Sequence, residues 1–174
     1  MSKIGHDLKT INGVVFDVDG VLSPSTIPLD TDGVPRRMVN IKDGYALQLA
    51  AKCGLKMAII SGADSPGVRE RFEGLGIKDV YMKAGQKLPV LRSWLEANGL
   101  TPGEVAFVGD DIPDYECMTA VGLAVAPNDA ANDIKRIAGY ISPVNGGYGV
   151  ARDFLEELLK ARGQWLDKAK AFGW

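Results

Sequence analysis

Apolar positions along the chain fall into two alternating patterns. Short runs rich in β-branched and aromatic residues ("GVVF", "LKMAIIS", "DVYMK", "EVAFVGD", "LAVAP", "YIS") are near-continuously hydrophobic. Between them lie amphipathic stretches with helical spacing: "GYALQLAAKCG", "SPGVRERFEGLG", "QKLPVLRSWLEANG", "DYECMTAVG", "AANDIKRIAG" and "GVARDFLEELLKARG". Strands that are apolar on both faces, each followed by a helix, predict a parallel sheet covered on both sides. Ser65-Pro66 supplies a cap with proline at the first helical position, and Leu88, Leu91 and Leu95 keep the helical period. The pattern shows no repeat, linker or low-complexity segment, so residues 1–174 are expected to form one three-layer α/β domain. Residues 24–41, "PSTIPLDTDGVPRRMVNI", break the rhythm; Asp32-Gly33 between two extended stretches predicts a projecting β-hairpin.

Charge and composition exclude more than they assign. A net charge of −2 without a basic run gives no support for a nucleic-acid partner. No stretch reaches the roughly 20 apolar residues of a membrane span, and "MSKIGHDLKTING" has no apolar leader core. A cytoplasmic protein is expected, with Cys53 and Cys117 as free thiols. His6 is the single histidine and reads as a surface residue, which leaves carboxylates, lysine, hydroxyls and metal to carry any catalysis.

The first strand ends on Asp17 and Asp19, in "DVDG". Two neighbouring carboxylates call for a cation, a shared proton or open water. The pair could mark a turn and nothing more. It cannot open an EF-hand loop, whose sixth and twelfth positions would be Leu22 and Pro28. In a parallel sheet, ligands bind beyond the carboxyl ends of the strands, so the polar residue after each apolar run is informative. Ser61 follows "MAII", Lys87 opens the helix after "DVYM", and "VAFVG" leads into Asp110, Asp111 and Asp114. These carboxylates, one hydroxyl and one ammonium share an edge of one sheet. Such a set suits Mg²⁺ and phosphate oxygens: Asp17 and Asp110 can ligate the ion, and Ser61 and Lys87 can hold the phosphoryl group. A carboxylate can attack phosphorus, and a second carboxylate two residues on can move the protons.

In that order, "DVDGVL", Ser61, Lys87 and "GDDIPD" resemble the four motifs of the haloacid dehalogenase superfamily of phosphohydrolases. The resemblance implies a Rossmann-like fold, with Asp17 as nucleophile and Asp19 as general acid and base. It places Mg²⁺ on Asp17, the Asp19 main-chain carbonyl and Asp110, with Asp111 and Asp114 orienting the site. Superfamily members usually insert a cap between the first and second motifs or between the second and third; here neither interval has room for one. A narrower likeness points the same way. "VNIKDGYALQ", "RFEGLGI", "NGGYGVARDF" and "WLDKAKAFGW" are similar to the capless, tetrameric 3-deoxy-D-manno-octulosonate 8-phosphate phosphatases of lipopolysaccharide biosynthesis. That resemblance implies a homotetramer built on the hairpin, and a sugar-acid phosphate held by Asn40, Ile41, Lys42, Asp43, Gly44 and Arg71 together with Asp19 and Lys87. The tail at 164–174 is expected to help shield a neighbour's site. Ala63 and Gln48 stand where the family often has basic residues, which keeps a nine-carbon sugar-acid phosphate open as a substrate.

Two rivals come from other classes. Receiver domains combine similar groups, but their acid pair precedes the phospho-acceptor and they lack the DxD arrangement. A non-catalytic scaffold member would be marked by loss of Asp17 or Asp19, and both are present.

Overall fold

A computed structural model describes residues 3–173. Six parallel strands form one sheet in the order β3-β2-β1-β4-β5-β6. They are β1 (Gly13–Phe16), β2 (Lys56–Ile60), β3 (Asp79–Tyr81), β4 (Val105–Val108), β5 (Leu123–Ala126) and β6 (Tyr140–Ile141). The helices are α1 (Ile41–Lys52), α2 (Pro66–Gly74), α3 (Lys87–Asn98), α4 (Tyr115–Ala120), α5 (Asn132–Ile137) and α6 (Val150–Ala161). Chain order runs outward from β1 to β3, then restarts on the other side of β1 at β4. The point where that direction reverses lies between β1 and β4, which pair from Gly13↔Val105 to Phe16↔Val108.

The continuous hydrophobicity of the strands now has its cause. Val14 and Phe16 of β1, with Ala106 and Val108 of β4, enter the core under α1, α2 and α6. Val15, Val105 and Phe107 enter the opposite core with Leu91 and Trp94 of α3 and Cys117 of α4. Alternate side chains fill opposite layers, so every position is apolar. Trp94, fully buried, keeps its indole N–H satisfied by the Asp79 carboxylate at 2.8 Å. No helix among the described residues is long and apolar enough to cross a membrane. Both cysteines are free; Cys117 is buried, and His6 is half-buried rather than exposed.

The structure gives two expectations a more particular form. Residues 24–41 turn back on themselves, with Gly33 N–H on the Asp30 carbonyl, but among the described residues the pairing is a single bridge, Leu29↔Pro35. Pro28 and Pro35 lack the N–H groups that a ladder would need. The turn is held instead by side chains: Arg36 bonds Asp30 at 2.9 Å and Asp32 at 2.7 Å. The tail, expected to help shield a neighbour's site, also makes contacts within its own chain. Trp165 stands edge-on to Tyr45, ring centres 6.0 Å apart, and the Arg152 guanidinium lies 4.6 Å from the Trp165 ring centre. Tyr45 Oη donates to the Ala171 carbonyl, so this stretch folds back over α1 of its own chain. Phe172 remains 73% exposed, and Trp174 lies outside the described residues.

The loop before α6 presses on the turn after β1. A Cβ on Gly146 would lie 1.9 Å from the Gly20 carbonyl oxygen, while Gly147 N–H donates to the Val21 carbonyl at 2.7 Å. The obstacle is backbone, which cannot swing aside. Gly146→Ala is therefore expected to cost about 1–3 kcal/mol, as overpacking does, measured by urea unfolding. Unchanged stability would mean that the two loops are not in close contact.

Candidate active site

The turn after β1 is built to carry two carboxylates. Asp17 continues the strand, donating its N–H to Val108, and its Oδ1 accepts from Val18 N–H at 2.7 Å. The Val18 carbonyl then collects the N–H groups of Val21, Leu22 and Ser23, closing a tight turn. Gly20 sits at φ +82°, and a Cβ there would lie 1.9 Å from an Asp110 carboxylate oxygen. Left-handed backbone and close approach both demand glycine. The two acidic loops are thereby drawn together at the switch point between β1 and β4.

The other groups arrive from neighbouring strands. Ser61 follows β2 with its main chain fixed by Tyr81 and Ala84, and its Oγ accepts from Ala63 N–H at 3.3 Å. Lys87 opens α3, buried, with Nζ 2.9 Å from Asp17 Oδ1 and 2.7 Å from Asp114 Oδ1. Asp110 follows β4, and its N–H donates to Asp114 Oδ2 at 3.0 Å. Both oxygens of the fully buried Asp114 are thus occupied, which suits orientation of Lys87 and the Asp110 loop. Asp17, Asp19, Ser61, Lys87, Asp110 and Asp111 all line one cleft of about 390 Å³, with Asp111 exposed at its mouth. Ser25 also lines it; nothing in the sequence set that residue apart.

Carboxylate oxygens of Asp17, Asp110 and Asp114 lie within 4.8 Å of one another. Burial first, and the Asp114 charge second, push the Asp17 carboxyl up to about 8, even though Lys87 pulls the other way. The same two causes raise Asp110 to about 7. Burial works against the Lys87 ammonium, but Asp17 and Asp114 hold its pKa above the usual value. A cluster that clings to protons at neutral pH is short of positive charge, and hard oxygen donors at this spacing fit Mg²⁺.

The residues expected to bind the sugar acid are not gathered in one place. Asn40 caps α1, its Oδ1 accepting from the N–H groups of Lys42 and Asp43. Asp43 is buried and accepts the Arg152 N–H at 2.6 Å, tying α1 to the start of α6; burial raises its pKa to about 6. Lys42 faces a separate cleft beside Tyr148 and Arg152, and Ile41 is 70% exposed. Gly44 lies against Arg71, where a Cβ would meet Nη2 at 2.5 Å. Arg71 lines a groove of about 480 Å³ between the 24–41 segment and α2. Sequence reasoning also missed Arg37, whose guanidinium grips both oxygens of Asp19 at 2.7 and 2.9 Å.

The raised carboxyls fix a pH dependence. In the unfolded chain both groups ionise near pH 4, about the free carboxylate value. In the metal-free fold they keep their protons until about pH 7 and 8. The unfolded state therefore releases protons first, and stability falls as pH rises from about 4 to 8. A bound divalent cation offsets this loss. Millimolar Mg²⁺ is expected to raise Tm more at pH 8 than at pH 5, and Asp110→Asn to remove most of that difference. Equal Mg²⁺ shifts at both pH values would show that these carboxylates do not hold the ion.

Comparison with known proteins agrees with this geometry. Residues 71–154 match the haloacid dehalogenase-like hydrolase family. The 3-deoxy-D-manno-octulosonate 8-phosphate phosphatase of Escherichia coli (strain K12) is 35% identical over 185 residues, covering 98% of each chain. The Moraxella catarrhalis phosphatase of the same name, solved with magnesium, phosphate and the sugar acid, superposes with a TM-score of 0.89 at 28% identity over 96% of each chain. The cobalt-bound Haemophilus influenzae enzyme gives 0.89 at 29% identity, covering 96% of this chain and 99% of that one. With full-length similarity, a capless sheet and an acidic cleft at its switch point, the chain belongs to the 3-deoxy-D-manno-octulosonate 8-phosphate phosphatase family of haloacid dehalogenase-like hydrolases.

Proposed function

We propose that this protein hydrolyses 3-deoxy-D-manno-octulosonate 8-phosphate to the free sugar acid and inorganic phosphate. The observation that carries this reading is the meeting of Asp17, Asp19, Ser61, Lys87 and Asp110 in one cleft, in a chain of this family. Asp17 Oδ1 accepts from Val18 and Lys87, and Oδ2 takes neither bond, which suits it to attack phosphorus. The Asp17 oxygen–phosphorus bond forms as the phosphorus–sugar oxygen bond breaks, and the leaving oxygen takes a proton from Asp19. A water then attacks phosphorus, gives its proton to Asp19, and displaces Asp17, releasing phosphate. Ser61 Oγ and Lys87 Nζ bind the phosphoryl oxygens. Asp17, the Asp19 carbonyl and Asp110 would hold Mg²⁺, and Asp111 and Asp114 would orient them. When bound, the ion neutralises charge on the carboxylates and the phosphoryl group.

The same reading covers assembly and location. Leu29, Val34, Met38, Val39 and Ile41 are exposed apolar residues on and beside the 24–41 turn, a surface suited to burial between copies in a cytoplasmic homotetramer. Exposed Phe172 suits contact with a neighbour's site. Ala63 lines the phosphate cleft without offering a cation, so the nine-carbon 9-phosphate homologue belongs in the same assay.

Phosphate release from both sugar-acid phosphates with Mg²⁺ tests the proposal. Turnover is expected to favour the eight-carbon substrate, to stop with excess chelator, and to fall at least about 10³-fold in Asp17→Asn. Lys87→Ala is expected to lose about 10²–10³ in kcat, as for one oxyanion donor. Comparable turnover by Asp17→Asn would remove the covalent route. A Lys87→Ala rate within tenfold of wild type would remove the lysine from the chemistry.

A further inference from the structure

Arg37 joins two clefts that the mechanism treats separately. Its Nε and Nη2 pair with Asp19 Oδ1 and Oδ2 at 2.7 and 2.9 Å, and its side chain is only 9% exposed. Asp19 lines the phosphate cleft, whereas Arg37 lines the larger groove together with Val34, Pro35, Val39, Pro66 and Arg71. The ion pair is the partition between them.

This arrangement is at odds with the work assigned to Asp19. A carboxylate whose two oxygens both accept from one guanidinium turns its inward-facing lone pairs to that fork, leaving only the outer ones, which are less well placed to exchange a proton with a leaving group. The fork is also the geometry by which arginine takes any carboxylate, including that of a sugar acid. The segment that carries Arg37 is lightly secured: one backbone bridge and the Arg36 pairs with Asp30 and Asp32 are internal to the turn. A second guanidinium, Arg71, already waits in the groove. Resting on the function proposed above, we infer that Arg37 is a specificity-determining residue: an anionic sugar acid entering the groove draws the guanidinium from Asp19, and only then is Asp19 free to serve the leaving oxygen. Small phosphate esters, which leave the groove empty, meet a sequestered Asp19. Binding of the correct substrate is thus linked to assembly of the acid, an induced-fit form of selection.

A leaving-group comparison tests this directly. Glycerol phosphate needs a proton on its alkoxide oxygen, whereas p-nitrophenolate departs without one. kcat/KM would be measured on the sugar-acid phosphate, glycerol phosphate and p-nitrophenyl phosphate for wild type, Arg37→Gln and Arg37→Lys, with melting curves to verify folding. Arg37→Gln is expected to raise the glycerol-to-nitrophenyl ratio at least about fivefold, because Asp19 is no longer held. Its preference for the sugar-acid phosphate over glycerol phosphate should fall at least about tenfold. Arg37→Lys keeps the charge without the fork, so the leaving-group ratio should rise while part of the preference survives; it also serves if the Gln variant does not fold. A fall in the glycerol-to-nitrophenyl ratio would make Arg37 a fixed support for Asp19 and overturn the inference. An unchanged ratio would overturn it as well. Wild type inactive on the sugar-acid phosphate, but with the ratio rising in Arg37→Gln, would sink the proposed substrate and keep the release of Asp19 for another anion.

Discussion

Three carboxylates held within 4.8 Å of one another at the edge of a buried sheet set the terms for the rest of this structure. Left alone they repel, and burial makes each charge costlier still. The fold brings one ammonium, Lys87, into contact with two of them and leaves room for a cation. Much of the local sequence follows from that crowding. Gly20 admits the Asp110 carboxylate, and Gly109 lies where a Cβ would be 2.6 Å from the Cβ of Asp114. The central strands β1 and β4 pair in register across Gly13–Phe16 and Val105–Val108, which delivers Asp17 and Asp110 side by side.

The site divides into a rigid part and a loose one. Asp17, Ser61, Lys87 and Asp110 stand at the ends of packed strands and a helix start, where neighbouring hydrogen bonds fix them. Such positions suit charge stabilisation, which depends on groups that do not reorganise. Asp19 is different. It is partly exposed, and its partner comes from a turn stabilised by its own side chains rather than by the sheet. Chemistry is assigned to the rigid part, and choice of substrate to the boundary with the loose one.

How far the sequence disclosed this depended on whether a residue's role had a local cause. The strands were legible because alternate side chains fill two cores, as Val14 and Val15 do. Asp17, Ser61, Lys87 and Asp110 were legible because a polar residue ending an apolar run must lie at the sheet's edge. Arg37 left no such trace: beside Arg36 it reads as a solvated charge, and only the path of the turn brings it to Asp19. Asn40 and Asp43 matched a substrate-binding stretch; that match did not disclose that the Asn40 side-chain oxygen caps α1 and that Asp43 ties α1 to α6. The contacts of Trp165 were not legible either, because they need Tyr45 of α1 and Arg152 of α6 brought together by the fold.

The nucleophile can be identified without altering the protein. Quenching the enzyme during turnover of the sugar-acid phosphate with Mg²⁺, then reducing with borohydride, converts an aspartyl-phosphate to homoserine, which peptide mass spectrometry locates. Homoserine at position 17, dependent on both substrate and Mg²⁺, is the expected result. Label at Asp19 or Asp110, or none while phosphate is being released, would contradict the assignment of Asp17 as nucleophile.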